Sequence, residues 1–125
     1  MARYVFAVRF RLDPASGVRV EPATFETTLE SEADPPGEDG WLFFRDNLWR
    51  GEANAPDHLR GLAEEALGVP VENVEYRRFE TSEAEYEALK GAIADDLSQF
   101  NADSVSEVLN KYFASSIEVG RGAER

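Results

Sequence analysis

Apolar and polar residues alternate from the start of the chain. Tyr4, Phe6, Val8, Phe10 and Leu12 fall on one side and Val5, Ala7, Arg9 and Arg11 on the other, which predicts a strand over 4–12 with one buried face. Asp13-Pro14-Ala15-Ser16-Gly17 has turn chemistry, with proline fixing φ and glycine free to take positive φ. Val18 to Val20 reads as a short edge piece ahead of Pro22. Alternation returns at 24–30, with Phe25, Thr27 and Leu29 inward and Glu26, Thr28 and Glu30 outward, a second strand. Residues 31–40 carry Glu32, Asp34, Glu38 and Asp39 around Pro35-Pro36-Gly37 and read as a solvated acidic loop. Trp41, Leu42, Phe43 and Phe44 are then apolar at consecutive positions, which predicts a central strand covered on both faces, by a loop, a further helix or another copy of the chain. Beyond it, Asp46-Asn47 either turns the chain into a short return strand Leu48-Trp49-Arg50 or lets the strand run on.

The period changes after Gly51. Leu59, Leu62, Ala63, Ala66 and Leu67 recur at helical spacing, with Asn54 as the expected cap, Pro56 in the first turn and Gly68 as the stop. Val71 to Phe79 reads as a strand, Val74 and Tyr76 inward and Glu75 and Arg77 outward. Ser82 and Glu85 have the spacing of a capping box and open a helix with the stripe Tyr86, Leu89, Ile93, Leu97 and Phe100. Ser104 and Glu107 open another, carrying Val105, Val108, Leu109, Tyr112 and Phe113, and Ile117 and Val119 suggest a last short strand. Strands followed by helices, joined by hairpin-like connections, predict an α+β two-layer sandwich: a mostly antiparallel sheet of four to five strands with about three helices. Residues 1–119 are expected to form one such domain and 120–125 a flexible tail.

Composition narrows the setting. In 125 residues, 25 acids face 13 bases for a net charge of −12, and Lys90 and Lys111 are the only lysines. So acidic a chain repels itself in dilute buffer, whereas in molar salt the Debye length falls to about 3 Å and the repulsion is screened. An acidic protein with a basic partner is the alternative, and the aromatic content of 11% argues against a disordered acidic segment. Cysteine is absent, which excludes disulfides and thiolate chemistry. The N-terminus lacks a signal-peptide pattern and no apolar run reaches the ~18 residues of a membrane span, so a cytoplasmic protein without a membrane partner is expected. The tripeptide Leu48-Trp49-Arg50, in a small acidic chain poor in lysine, resembles the feature after which a haloarchaeal family, the LWR-salt proteins, is named. That resemblance implies a halophilic archaeal cytoplasm and a match over most of the chain; it carries no activity, cofactor or site residue.

Candidate chemistry is sparse. His58, the only histidine, sits beside Asp57 near a helix start, where the dipole disfavours its charged form; a role as general base would need a hydroxyl partner that the sequence does not indicate. Asp95-Asp96, Glu64-Glu65 and Glu38-Asp39 lack the spacing of a calcium loop, and no glycine pattern matches a phosphate-binding fingerprint. No catalytic residue, metal or cofactor is therefore expected, and the balance favours a non-enzymatic protein. The more informative pattern is that Arg9, Arg11, Arg45, Arg50, Arg77 and Arg78 fall in or beside predicted strands, near aromatic residues. This motivates a binding face of Arg9, Arg11, Arg45, Trp49, Arg50 and Arg77 for a protein partner or a second copy of the chain. Single-stranded nucleic acid uses similar surface chemistry, but net negative charge disfavours it. Cross-strand pairing of Arg9 and Arg11 with Glu26 and Glu30 is the competing, purely structural explanation.

Overall fold

The computed structural model describes residues 2–11 and 24–120. The turn expected at 13–17, the edge piece at 18–20, Leu12 and the tail from 121 onward lie outside the described residues. Strand β1 (Arg3–Arg11) pairs antiparallel with β2 (Thr24–Glu32) on one side and with β5 (Val71–Ser82) on the other. The last strand, β6 (Ile117–Gly120), joins β5 in parallel, so the four-stranded sheet has the order β2-β1-β5-β6 and is mixed rather than wholly antiparallel. Gly120, expected in the tail, belongs to that strand. Between β2 and β5 come the short helix α1 (Phe43–Asn47), a two-residue-stranded ribbon of β3 (Leu48–Trp49) and β4 (Glu52–Ala53), and helix α2 (Pro56–Leu67). After β5 come α3 (Glu83–Ala94), a 3-10 turn (Leu97–Phe100) and α4 (Val105–Tyr112). The result is an α+β fold, as the periodicities imply.

Strand β5 spaces its buried residues unevenly: Val71, Val74, Tyr76, Phe79 and Thr81 all face the core. Two bulges explain this. Phe10 pairs with Val71 but Arg9 with Asn73, and Phe6 pairs with Tyr76 but Val5 with Arg78, so Glu72 and Arg77 are each an extra residue that resets the alternation. In α2, Leu59 and Ala63 are buried and Leu67 partly so, whereas Leu62 is exposed. Asn54 is not its cap: Ala55 holds that position without a side-chain bond, and the Asn54 amide donates instead to the Asp46 carbonyl. Gly68 ends the helix in the left-handed conformation that a β-carbon disfavours. The Ser82–Glu85 capping box forms in both directions, whereas Glu107 accepts from the Asp103 amide rather than completing a box with Ser104. The apolar stripe from Tyr86 to Phe100 is not one helix. Its Asp95 and Asp96 face the negative end of the dipole with no base in the last turn, and the chain breaks there before the 3-10 turn.

The largest departure concerns Trp41 to Phe44. Gly40 turns the chain with φ +89°, and the segment winds into α1 instead of extending. A short apolar run does not distinguish a buried strand from a buried helical turn. The need for cover on two sides is met within the chain. Phe43 packs on Tyr4 of the sheet, with ring centroids 4.6 Å apart, while Phe44 meets Phe100, Tyr112 and Phe113 from the helical layer at 5.8, 5.7 and 5.0 Å. Phe79 and Phe113 close the circle at 5.1 Å. Phe44 is thus the ring on which sheet, 3-10 turn and α4 converge. Phe44→Ala is expected to cost about 3–5 kcal/mol in urea unfolding at molar salt, whereas Leu62→Ala should change stability by less than about 0.5 kcal/mol.

Candidate functional site

Three regions bear on function: the outer face of the sheet, the β3–β4 turn, and a groove at the start of α3. The outer face, opposite the helices, holds the strand arginines. Arg9 pairs with Glu26 at 3.0 Å, Arg11 with Glu72, Arg77 with Glu75, Arg3 with Glu80 at 2.8 Å, and Arg78 with Glu80 at 2.6 Å. Hydrogen bonds from Arg78 and then Arg3 hold the Glu80 carboxyl below its ordinary range, and those bonds outweigh its partial burial. Val5, whose register partners on this face are Glu30 and Arg78, is only 1% exposed although it lies outside the core cluster. Arg9 and Arg77 do share a shallow recess, but with Glu26 and Glu75 in it.

Arg45, Trp49 and Arg50 are not on that face. Arg45 projects from α1 and donates to Asp46 and Gln99. Trp49 and Arg50 belong to the separate ribbon, where Trp49 pairs with Glu52 and leaves Arg50-Gly51 as a two-residue loop. Both loop residues have positive φ, +53° and +82°, as the tightest antiparallel hairpins require. The loop docks on the end of α4. A helix leaves its last carbonyls without partners, and here each is supplied: the Arg50 N–H donates to Lys111 at 2.8 Å and the Gly51 N–H to Tyr112 at 2.9 Å, while the Ser116 N–H takes Phe113. A β-carbon at Gly51 would come within 3.0 Å of the Phe113 carbonyl, so glycine is required by space as well as by conformation.

The side chains of the tripeptide then divide their roles. Leu48 is fully buried in the core. Trp49 is 47% exposed, edge-on to Tyr112 at 6.1 Å. The Arg50 guanidinium lies 5.6 Å from the centre of the Trp49 ring, and among the described residues Arg50 is the one arginine with no carboxylate in ion-pair distance. The sequence signal for this hairpin was present: a Gly-containing pair between two short runs.

The groove, of about 280 Å³, opens between the start of α3 and the loop after β2. Trp41 lines it together with the edges of the core residues Tyr4, Phe44 and Phe79, none of them more than 4% exposed, and Asp34 and Glu85 stand at its polar rim. Burial pushes the Tyr4 phenol well above its ordinary value. Glu85 is committed to local structure, accepting from the Ala2 and Ser82 amides and the Ser82 hydroxyl. Asp34 has no hydrogen bond or ion pair among the described residues, and it lies against Gly40, where a side chain would collide with its carboxylate. Sequence reasoning missed this groove because its residues come from four separate segments. His58 is exposed on the first turn of α2, with no hydrogen-bond partner for its imidazole among the described residues. Among those residues no group of three or more His, Asp or Glu is placed to hold a metal, and no helix is long and apolar enough to cross a membrane.

The outer-face lattice has a consequence for acid stability. Because the folded carboxyl of Glu80 lies below its ordinary value of 4.5, its pairing stabilises the fold above that pH, and the contribution is lost as the pH falls through the depressed value. Glu80→Gln is expected to lower the urea midpoint at pH 7 and to converge on the wild type in acid; a gap unchanged at pH 3 would contradict this role.

No curated protein and no solved structure matches the chain. A family model does: that of the LWR-salt proteins aligns with residues 1–123, nearly the whole length, and includes the Leu48-Trp49-Arg50 tripeptide whose backbone caps α4. The chain belongs to the LWR-salt protein family.

Proposed function

We propose that the protein is a non-enzymatic binding module of a salt-rich archaeal cytoplasm, with Trp49 and Arg50 on the β3–β4 turn as the contact pair for a protein partner. The observation that carries this reading is the residue at position 50. Its φ of +53° is left-handed backbone, which costs a residue with a β-carbon roughly 1 kcal/mol or more and which glycine or asparagine adopts more readily. The arginine held there has no carboxylate partner, its guanidinium meeting only the half-exposed Trp49 ring, and strained backbone of this kind clusters at ligand contacts. Tryptophan and arginine are also the side chains most enriched among those that dominate protein interfaces. Here the guanidinium already lies over the indole on a turn pinned by two hydrogen bonds, so little ordering is left for binding to impose. Arg9, Arg11, Arg45 and Arg77, each engaged with a carboxylate, are the weaker part of the expected face.

The setting is supported by the net charge of −12, whose self-repulsion molar salt screens, and by the family's name. A second reading, a base stacked on Trp49 with a phosphate on Arg50, draws on the same pair. The overall charge repels a polyanion, and the arginines that would extend a phosphate track are tied to glutamates. An enzyme built on His58 has no supporting geometry.

The test is Arg50→Asn. In molar potassium chloride its unfolding midpoint should equal or exceed that of the wild type, by up to about 1 kcal/mol, while recovery of a bound protein, or self-association on gel filtration, falls several-fold. A variant that is less stable with association unchanged would make Arg50 structural. Absorbance at 260 nm in wild-type protein purified at high salt, lost in the variant, would favour the nucleic-acid reading instead.

A further inference from the structure

Every lysine and arginine among the described residues lies within ion-pair distance of a carboxylate except two, Arg50 and Lys111. In a chain with 25 acids and 13 bases, a cation without a carboxylate is unexpected, and these two are joined. The Arg50 N–H donates to the Lys111 carbonyl at 2.8 Å. Their charges stand at the two ends of a row of rings. Lys111 Nζ lies 6.0 Å from the centre of Tyr112, Tyr112 lies 6.1 Å from Trp49, and the Trp49 ring lies 5.6 Å from the Arg50 guanidinium. Tyr112 is 8% exposed, so Trp49, at 47%, supplies the accessible ring of the row. Lys111 Nζ donates to the Phe100 and Asn101 carbonyls at 2.8 and 3.2 Å, which uses two of the three donors an ammonium carries. Two acids are close in sequence: Glu52, opposite Trp49 in the ribbon, and Glu107, one turn before Lys111. Neither lies within ion-pair distance of either cation, and Glu107 accepts from the Asp103 amide.

We propose that the partner contacts this row through an acidic protein segment, with carboxylates on Arg50 and Lys111 and the chain between them lying across Trp49. The inference rests on the reading of Trp49 and Arg50 as a contact pair and names the chemistry of what they meet. A basic segment would bring like charge against both cations, and a purely apolar one would cover them without answering either charge. The net charge of −12 opposes an acidic partner in dilute buffer. In molar salt the screening length is about 3 Å, so that repulsion fades over distance while a hydrogen-bonded contact, no longer than this, keeps part of its strength. The charges that touch then decide the pairing, and at this turn they are positive. Six residues of extended chain reach roughly 20 Å, enough to span the row from Lys111 to Arg50.

The chain has two tryptophans, so its two indole N–H signals separate this site from the rest of the fold by NMR. Hexaglutamate, acetylated and amidated at its ends and titrated in molar potassium chloride, should shift the Trp49 signal saturably and leave that of Trp41 in place. Hexaglutamine should shift neither. Arg50→Gln and Lys111→Gln should each weaken the midpoint about two- to fivefold, the range of an exposed charge pair. Because Lys111 also holds two carbonyls, Lys111→Arg is the control: it keeps the charge and should bind like the wild type. A shift that does not saturate, an equal shift with hexaglutamine, or a midpoint indifferent to both charge removals would each overturn the proposal. So would tighter binding of oligothymidylate at the same signals, which would assign the row to nucleic acid. If Arg50→Asn still loses a bound protein that hexaglutamate does not displace, the contact pair stands and the acidic segment alone is contradicted.

Discussion

Two amide N–H groups, those of Arg50 and Gly51, close the last turn of α4, and much of the fold's helical layer depends on that contact. The helix is only eight residues long, too short to be stable alone, and its C-terminal carbonyls would otherwise be left without partners beside the core. By meeting them with backbone rather than side chain, the ribbon fixes the position of Phe113 and Tyr112, and through them the ring of Phe44. It also frees the two side chains at the tip. Leu48 anchors the ribbon from below, Gly51 admits the close approach, and Trp49 with Arg50 is left facing outward on a support that does not need them.

The remaining arginines follow a different rule. On the outer face of the sheet each described guanidinium lies against a glutamate, which neutralises charge locally. Exposed pairs of this kind contribute little individually, so the lattice is better understood as keeping an open, acidic sheet face from exposing apolar surface than as a source of stability. The same comparison sets Arg50 apart as the one described arginine with no carboxylate in ion-pair distance.

How far the sequence went depended on whether a single period governed a segment. The alternation in β1 and β2, the Gly68 stop and the Ser82 capping box were legible because local chemistry alone decides them. Strand β5 was found but its inward set was incomplete, since the bulges at Glu72 and Arg77 depend on the pairing with β1. Trp41 to Phe44 reads as a strand and is a helical turn for a related reason: consecutive apolar residues say that a segment is covered, not what covers it. The parallel pairing of β6 and the groove of Tyr4, Trp41, Phe44 and Phe79 are products of tertiary placement, and no window of the chain encodes either. At the candidate contact, composition and strand position do not distinguish Trp49 and Arg50 from Arg9, Arg11, Arg45 and Arg77, and only the geometry separates the unpaired arginine from the paired ones.

Amide hydrogen exchange at Arg50 and Gly51, followed by NMR in molar salt, tests the division of labour between backbone and side chains most directly. Both amides should be protected to nearly the level of the α4 interior, and should stay so when Trp49 and Arg50 are both replaced by alanine. Exchange at the rate of an open loop in the wild type, or protection that vanishes with the two side chains, would contradict it.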